Sequence, residues 1–114
     1  PLVLAGKATV AELDGEVVGV AVVGPLTGDL VLFRLYVVPE HQGMGIGRLL
    51  LEDVMTTARE TGHRILRLSY LDGNAGAERF YQGFGFVESH REPTGDGIPD
   101  SIWVVRDLWE QEQS

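Results

Sequence analysis

The sequence predicts a fold of the α/β class: one mixed β-sheet with helices packed on it. Strand-length runs of apolar and β-branched residues recur along the chain, and two segments with helical periodicity interrupt them. One of those helical segments joins two apolar strands, which is typical of a parallel strand pair, whereas a tight hairpin near the start is typical of antiparallel strands. At 114 residues the chain has the length of a single domain, 1–114.

The first predicted elements are a hairpin and a central strand. Residues 8–13 and 16–23 are rich in strand-forming residues, and Asp14-Gly15 between them suits a two-residue hairpin turn. Residues 24–29 contain Gly, Pro and Asp and are predicted to form a loop. Residues 30–38 are then a nearly unbroken apolar run, as expected of a strand buried in the middle of a sheet.

Helices and strands alternate in the second half of the chain. An amphipathic helix is predicted to run up to Gly62, because apolar residues recur at the spacing of one helical face: Ile46, Leu49, Leu50, Val54 and Ala58. A strand at 65–71, a short helix at 74–82, and strands at 86–90 and 102–108 follow, with a Gly/Pro/Asp-rich loop at 92–100.

Composition excludes several classes of function. The chain has no cysteine, so disulfides, cysteine-ligated metals and a thiol nucleophile are excluded, and a reducing compartment such as the cytoplasm is predicted. Seventeen acidic residues against nine basic ones give a net charge of −8, which argues against nucleic acid as a partner. No apolar stretch is long enough to span a bilayer, and no set of histidines and carboxylates has the spacing of metal ligands. We therefore expect no membrane partner and no metal.

A glycine-rich segment at 42–48, Gln-Gly-Met-Gly-Ile-Gly-Arg, lies between the central strand and the amphipathic helix. Unpaired N–H groups and the positive end of a helix dipole favour an anion there, so a phosphate or pyrophosphate fits. A dinucleotide fingerprint matches poorly, because Arg48 stands where its third glycine belongs and Pro39 to Gln42 separate the strand from the first glycine. A Walker loop lacks its Gly-Lys-Ser/Thr. The alternative is a loop that only packs the helix on the strand.

The same segment carries a resemblance to a known family. Residues 35–50, LYVVPEHQGMGIGRLL, resemble the acetyl-CoA-binding motif of the GNAT superfamily of N-acetyltransferases, with Gln42, Gly45 and Gly47 at its (Gln/Arg)-x-x-Gly-x-(Gly/Ala) positions. A second block, from Asn74 to Phe86, is similar to the family's fifth-strand and fourth-helix motif. The similarity extends over residues 8–108 and implies a GNAT-like fold, a central mixed sheet with splayed fourth and fifth strands flanked by helices.

The resemblance implies a function and a set of site residues. It implies transfer of an acetyl group from acetyl-CoA to a primary amine of a small molecule or protein, by direct attack and without a metal. Tyr81 is identified with the family's general acid, which protonates the departing thiolate of CoA. The residues implied to bind the cofactor are Leu35, Tyr36 and Val37 at the strand end, Gln42, Gly43, Met44, Gly45, Ile46, Gly47 and Arg48 in the loop, and Asn74.

Two departures from the family leave parts of the function open. Ser69 stands where some relatives carry a glutamate base, and the alternatives for taking the proton of the amine are Glu40, His41, His90 and Asp100. Relatives begin with a strand and two helices that wall the acceptor pocket, whereas this sequence starts close to the family's second strand. The domain is therefore predicted to be N-terminally incomplete; the alternative is an acceptor site that is unusually open or completed by another chain, and the acceptor stays open. A catalytically silent acyl-CoA-binding or regulatory module is the alternative function, and a dinucleotide-binding protein is a third.

Some of these residues also have simpler interpretations. Without the register set by Asn74, Tyr81 would be interpreted as a core residue. Trp103 and Trp109 are predicted to cover a sheet edge or to form a subunit contact, such as a homodimer interface. His63 is predicted to partner the end of the amphipathic helix.

Overall fold

The computed structural model describes residues 7–26 and 29–109, which form one six-stranded sheet and two α-helices. In chain order the elements are β1 (Lys7–Leu13), β2 (Glu16–Leu26), β3 (Asp29–Val37), α1 (Ile46–Glu60), β4 (Ile65–Leu71), α2 (Ala75–Gly83), β5 (Val87–Glu92) and β6 (Ser101–Asp107). A 3-10 turn, Pro39–His41, precedes the glycine loop. Within the described residues the strand order is β1-β2-β3-β4-β6-β5, and only β3 and β4 pair in parallel. The predicted mixed sheet with packed helices is confirmed.

The predicted loop at 24–29 is wrong in part. β2 continues through residues 24–26, and β3 begins at Asp29. Each residue of this extension has a partner on β3, with Pro25 opposite Leu30. Pairing with the next strand therefore outweighs the local turn preference of a Gly-Pro sequence. Residues 27 and 28 lie outside the described part of the chain.

Both helices pack on the same side of the sheet, which we name the helical face. α1 is amphipathic as predicted and buries Leu50, Leu51, Val54, Met55 and Ala58. These side chains join one buried cluster with residues from β2, β3, β4 and β6 and with Phe86, and residues of α2 pack against it. The core thus lies between the two helices and one face of the sheet.

The opposite side of the sheet carries a second set of side chains. Side chains alternate along a strand, so a residue between two core positions points away from the core. Ser69 lies between Leu68 and Tyr70 on β4, and Trp103 lies between two buried residues of β6. Neither described helix packs on this side. We name it the open face and define it by Tyr36, Ser69, Leu71, His90 and Trp103.

β3 and β4 diverge after a short parallel contact. Their pairing consists of Leu30 with Leu66 and Val31 with Arg67, although both strands continue beyond these residues. On its other side β3 contains a bulge, because Val23 pairs with Leu32 while Val22 pairs with Arg34. The residue left over, Phe33, bends the strand and shifts its alternation by one. The result is a gap between residues 32–37 and 68–71, which confirms the predicted splay.

Candidate active site

The edge of β3 that borders the gap has backbone groups available for a ligand. Val38 donates its N–H to the carbonyl of Val18 on β2 at 2.8 Å. Since alternate residues of a strand direct their N–H and C=O to opposite neighbours, Leu35 and Val37 direct theirs into the gap, whereas the backbone of Tyr36 is directed to β2. The side chains of Leu35 and Val37 pack toward the helical core, and that of Tyr36 lies on the open face.

Gln42 fastens the loop to the end of β3. Its side-chain Nε2 donates a hydrogen bond of 2.9 Å to the carbonyl of Val37. That bond satisfies the acceptor of Val37 and leaves its N–H directed into the gap. Sequence reasoning placed Gln42 in the cofactor motif and did not foresee this contact, because the two residues become neighbours only through the turn at Pro39–His41.

The glycine loop presents unpaired N–H groups at the start of α1. Gly43 and Gly45 both have φ of +85°, a backbone conformation that strains any other residue. Gly45 caps the helix without a side-chain hydrogen bond, and the first helical bond runs from Leu49 N–H to its carbonyl at 3.1 Å. Within the described residues, the N–H groups from Gly43 to Arg48 therefore have no partner. Together with the helix dipole they form a cradle for an anion.

Gly47 brings this cradle close to the gap. A Cβ added there would lie 3.8 Å from both Phe80 Cζ and Val37 Cγ2, so the first turn of α1 approaches α2 and the end of β3. The side chain of Arg48 leaves the cradle, because it pairs with Glu52 at 3.3 Å and its guanidinium lies over the ring of Phe84. Met44 and Ile46 can likewise contribute only backbone groups to the cradle: the Met44 side chain is exposed, and that of Ile46 packs on the core.

Asn74 caps the N-terminus of α2. Its Oδ1 accepts a hydrogen bond of 3.1 Å from the N–H of Ala77. The side-chain oxygen is thereby occupied, and the amide nitrogen remains as the donor for any further contact. This capping role could have been predicted from an asparagine immediately before a helix. The predicted contact with the cofactor arm stays a prediction.

Tyr81 lies on α2 within an aromatic cluster. Its ring is parallel to that of Tyr70 at 6.2 Å and meets the edges of Phe80 and Phe86 at 5.1 and 5.7 Å. Burial raises the pKa of the Tyr81 phenol above its ordinary value of 10.0. The phenol is therefore protonated at neutral pH and able to donate a proton. Its hydroxyl has no hydrogen-bond partner in the part of the chain that the structure describes.

The candidate bases lie in three different places. Glu40 is exposed on the 3-10 turn beside His41, whose Nδ1 is enclosed without a hydrogen-bond partner among the described residues. Asp100 is exposed just before β6. His90 lies on the open face, in a row with Trp103 and Ser69 across β5, β6 and β4.

The predicted position of Trp103 at a sheet edge is wrong. β6 is an inner strand, and the Trp103 indole lies on its open face with Nε1 donating to Glu92 at 2.9 Å. Trp109 is exposed, and the guanidinium of Arg64 lies 5.6 Å from the centre of the Trp109 ring. His63 follows the end of α1, where its Nδ1 lies 3.1 Å from Thr61 Oγ1, as predicted.

The described residues lack the features of a metal site and of a membrane-spanning helix. Histidines and carboxylates do not come together there in any group of three that could hold a metal ion. Neither α1 nor α2 has the length and apolar character needed to cross a membrane.

Comparison with known proteins agrees with this geometry. Residues 5–88 match the family model described as an acetyltransferase (GNAT) domain. The [ribosomal protein bS18]-alanine N-acetyltransferase of Escherichia coli K12 is 31% identical over 93 residues, which cover 78% of this chain and 63% of that protein. N-acetyltransferase 8B of Mus musculus is 31% identical over 105 residues, 87% of this chain and 43% of its own length. The chain thus spans only part of the length of these relatives.

Solved structures share the fold. The ribosomal-protein-S18-alanine N-acetyltransferase from Escherichia coli superposes with a TM-score of 0.84 at 25% identity, covering 97% of this chain and 74% of that one. YncA of Salmonella typhimurium, solved with its cofactor acetyl-CoA, superposes with a TM-score of 0.79 at 28% identity over 97% of this chain and 69% of that one. The family model matches residues 5–88, most of the chain, and solved members share the fold, so the chain belongs to the GNAT family of acetyltransferases.

Proposed function

We propose that this protein transfers the acetyl group of acetyl-CoA to a primary amine of a small molecule or protein by direct attack. The proposal rests on one observation: the gap beside β3 and the anion cradle lie next to each other. The gap leaves the backbone groups of Leu35 and Val37 without a neighbouring strand, and the anion cradle opens beside it at Gly47. A ligand with an amide-containing arm and a pyrophosphate uses both, and acetyl-CoA has both.

The cofactor would take the place of the missing strand pairing. Leu35 and Val37 would hydrogen-bond the amides of the pantetheine arm as a neighbouring strand would. The N–H groups from Gly43 to Arg48 would hold the pyrophosphate, and Gln42 would keep the end of β3 in register with that loop. The amide nitrogen of Asn74 is a donor for the same arm, at the start of α2 on the far side of the gap.

The chemistry requires stabilisation of an oxyanion and a proton for the leaving thiolate. The N–H of Val37 is directed into the gap and can stabilise the tetrahedral oxyanion. A phenol with a pKa of about 10 is a weaker acid than a thiol with a pKa of about 8.5, a difference of about 2 kcal/mol. Burial that raises the pKa of the Tyr81 phenol also raises that of a thiol in the same place, so the difference persists and stays small. A positioned acid raises the reaction rate by about 10²- to 10⁴-fold, which corresponds to a larger free energy than this difference in acidity.

The amine would approach from the open face. On the helical face the side chains of Leu35, Val37, Phe80 and Tyr81 pack against the core, whereas neither described helix covers the open face. An amine on the open side and the Tyr81 phenol on the helical side would then flank the thioester carbonyl. The nucleophile enters on one side while the thiolate is protonated on the other.

An acceptor panel tests the proposal on the full-length protein. Acetyl-CoA binding is measured by calorimetry, and CoA release is then followed with a peptide that begins with alanine, a peptide whose free amine is a lysine side chain, and putrescine. The alanine peptide is included because the Escherichia coli relative is named for an alanine acceptor. Turnover with any acceptor supports the proposal.

Binding without turnover would favour the silent acyl-CoA-binding module, for which Ser69, a residue without a basic group beside the gap, is the specific observation. Absence of acetyl-CoA binding would overturn both functions. Cytoplasmic location, homodimer formation and a lack of metal, nucleic-acid and membrane partners stay predictions from the sequence.

A further inference from the structure

A primary amine must lose a proton before it attacks a thioester, because its ammonium form has no lone pair and predominates at neutral pH. Tyr81 cannot take this proton, since its burial keeps the phenol protonated and its position is on the helical face. We propose that His90 is the proton acceptor for the amine on the open face. This inference rests on the proposed acetyl transfer.

A bulge in β5 aims His90 at the open face. Glu88 pairs with Val104 of β6 and His90 pairs with the next residue back along β6, Trp103, so Ser89 is the extra residue. Without the bulge His90 would be two residues from Glu88 and would share its side of the sheet. Instead the imidazole stacks on the Trp103 indole, with ring centres 6.0 Å apart and planes at 7°.

Hydrogen bonds hold the imidazole in one orientation. Ser89 Oγ lies 2.9 Å from His90 Nδ1 and donates to the carbonyl of Trp103 at 3.3 Å. A hydroxyl that gives its proton to the carbonyl accepts from Nδ1–H, which leaves Nε2 with the free lone pair of a base. The indole that supports the ring is itself fixed by the hydrogen bond from its Nε1 to Glu92.

One carboxylate lies beside the His90 ring. The carboxylate of Glu92 is 3.8 Å from Nε2. Facing strand β6 presents Trp103, which carries no charge, and β4 beyond it presents Ser69. The nearest cation along β5, Arg91, is bound to Glu88 at 3.0 Å and to Asp72 at 3.2 Å.

The proton would reach His90 through water on the open face. β5 lies two strands from β4, about 10 Å across the sheet, so the proton passes through water over Trp103 and Ser69. The ammonium gives one proton to Nε2, and the neutral amine forms the C–N bond of the tetrahedral intermediate, whose nitrogen releases its second proton to water on the open face. The C–S bond then breaks, Tyr81 protonates the leaving thiolate, and the phenol regains a proton from solvent after CoA leaves. The imidazolium releases its proton to solvent, which reaches it because half of the His90 side chain is exposed.

The test compares His90→Gln with His63→Gln in the full-length protein. His63 is a matched control, since its Nδ1 is also held by a neighbouring hydroxyl, that of Thr61, but at the far end of α1. We expect His90→Gln to lower kcat/KM for an alkylamine acceptor, such as putrescine or the alanine peptide, by about 10²-fold at pH 7. With putrescine, the activity of His90→Gln should rise about tenfold per pH unit from about pH 5 to 8, because only the neutral amine then reacts, whereas the wild-type profile should be flatter. Acetyl-CoA affinity and the melting temperature should not change.

Methoxyamine separates proton transfer from structure, because it is largely unprotonated at pH 7 and needs no base. A role in proton transfer predicts that His90→Gln retains turnover of methoxyamine while losing that of the alkylamine, whereas a structural role predicts equal losses. If the wild type does not accept methoxyamine, the pH profile alone decides. An unchanged pH profile, or a higher KM with unchanged kcat, would overturn the inference. Wild-type protein that binds acetyl-CoA but acetylates no amine would instead overturn the proposed function, and the inference with it.

Discussion

The most direct test of the cradle is a charge placed inside it at Gly47. Its Cβ position faces Val37 and Phe80, where the pyrophosphate and the arm of the cofactor are proposed to meet. A glutamate there would set a carboxylate against the pyrophosphate and cover the N–H groups of the first turn. At an effective dielectric constant of about 20 and a separation of about 5 Å, one pair of like charges costs about 3 kcal/mol. That energy corresponds to a rise in Kd of about 200-fold.

Two further variants at the same position separate charge from size. Gly47→Gln has nearly the shape of Gly47→Glu without the charge and should weaken acetyl-CoA binding much less. Gly47→Ala adds only a Cβ at ordinary contact distance from Phe80 and Val37, and alanine is favoured over glycine in helices by up to about 1 kcal/mol. We expect this variant to bind nearly as wild type and to be at least as stable.

Calorimetry with acetyl-CoA gives Kd for each variant, and a melting curve on the same sample shows whether the variant is folded. Folded Gly47→Glu with wild-type affinity would refute the assignment of the cradle. Equal losses in Gly47→Glu and Gly47→Gln would show that steric blocking, and not charge, is the cause. A similar loss in Gly47→Ala would mean that the position tolerates no side chain at all.

Three other outcomes follow from the site. Tyr81→Phe should lower acetyl transfer by about 10²- to 10⁴-fold with little change in acetyl-CoA affinity or melting temperature, and retained turnover would reduce Tyr81 to a packing residue. Because burial raises the pKa of this phenol, its protonated form contributes stability below pH 10 that is lost as pH rises through the folded pKa. Melting temperatures should therefore fall less steeply above pH 10 in Tyr81→Phe than in wild type. Asn74→Ala should lower the free energy of unfolding in denaturant by about 1 kcal/mol, whereas Asn74→Ser should keep most of the cap. Weaker acetyl-CoA binding in both variants would indicate a direct contact with the cofactor.

Local patterns in the sequence predicted the elements of this fold well. The hairpin at Asp14-Gly15, α1 and the strand at Ile65–Leu71 follow from turn chemistry and periodicity, which act between near neighbours. The extension of β2 through residues 24–26 does not follow from local patterns, because Pro25 is held in the sheet by pairing with Leu30. Boundaries set by a partner strand are invisible to a reading of one segment at a time.

The site divides in the same way. The glycine loop was predictable because its constraint is local: positive φ at Gly43 and Gly45 and free N–H groups before a helix. Two other features of the site were not predictable from local patterns. They are the hydrogen bond from Gln42 to Val37 and the row of Ser69, Trp103 and His90, and each depends on which residues the fold places opposite one another. The position of Trp103 near the end of the chain suggests a sheet edge or a subunit contact, and the edge is wrong because the strand order places β6 inside the sheet.

Two β-bulges connect the fold to the proposed chemistry. An extra residue shifts the alternation of every residue after it, so a single insertion decides which side chains face the helices and which face away. The bulge at Phe33 directs the backbone of Leu35 and Val37 into the gap, and the bulge at Ser89 moves His90 to the open face. The proposed acid and base thus lie on opposite sides of the sheet. Deleting Ser89 would remove the bulge but leave His90 directly after Glu88, still opposite Trp103 on the open face, so the pH profile of this deletion variant should stay closer to that of wild type than the profile of His90→Gln does.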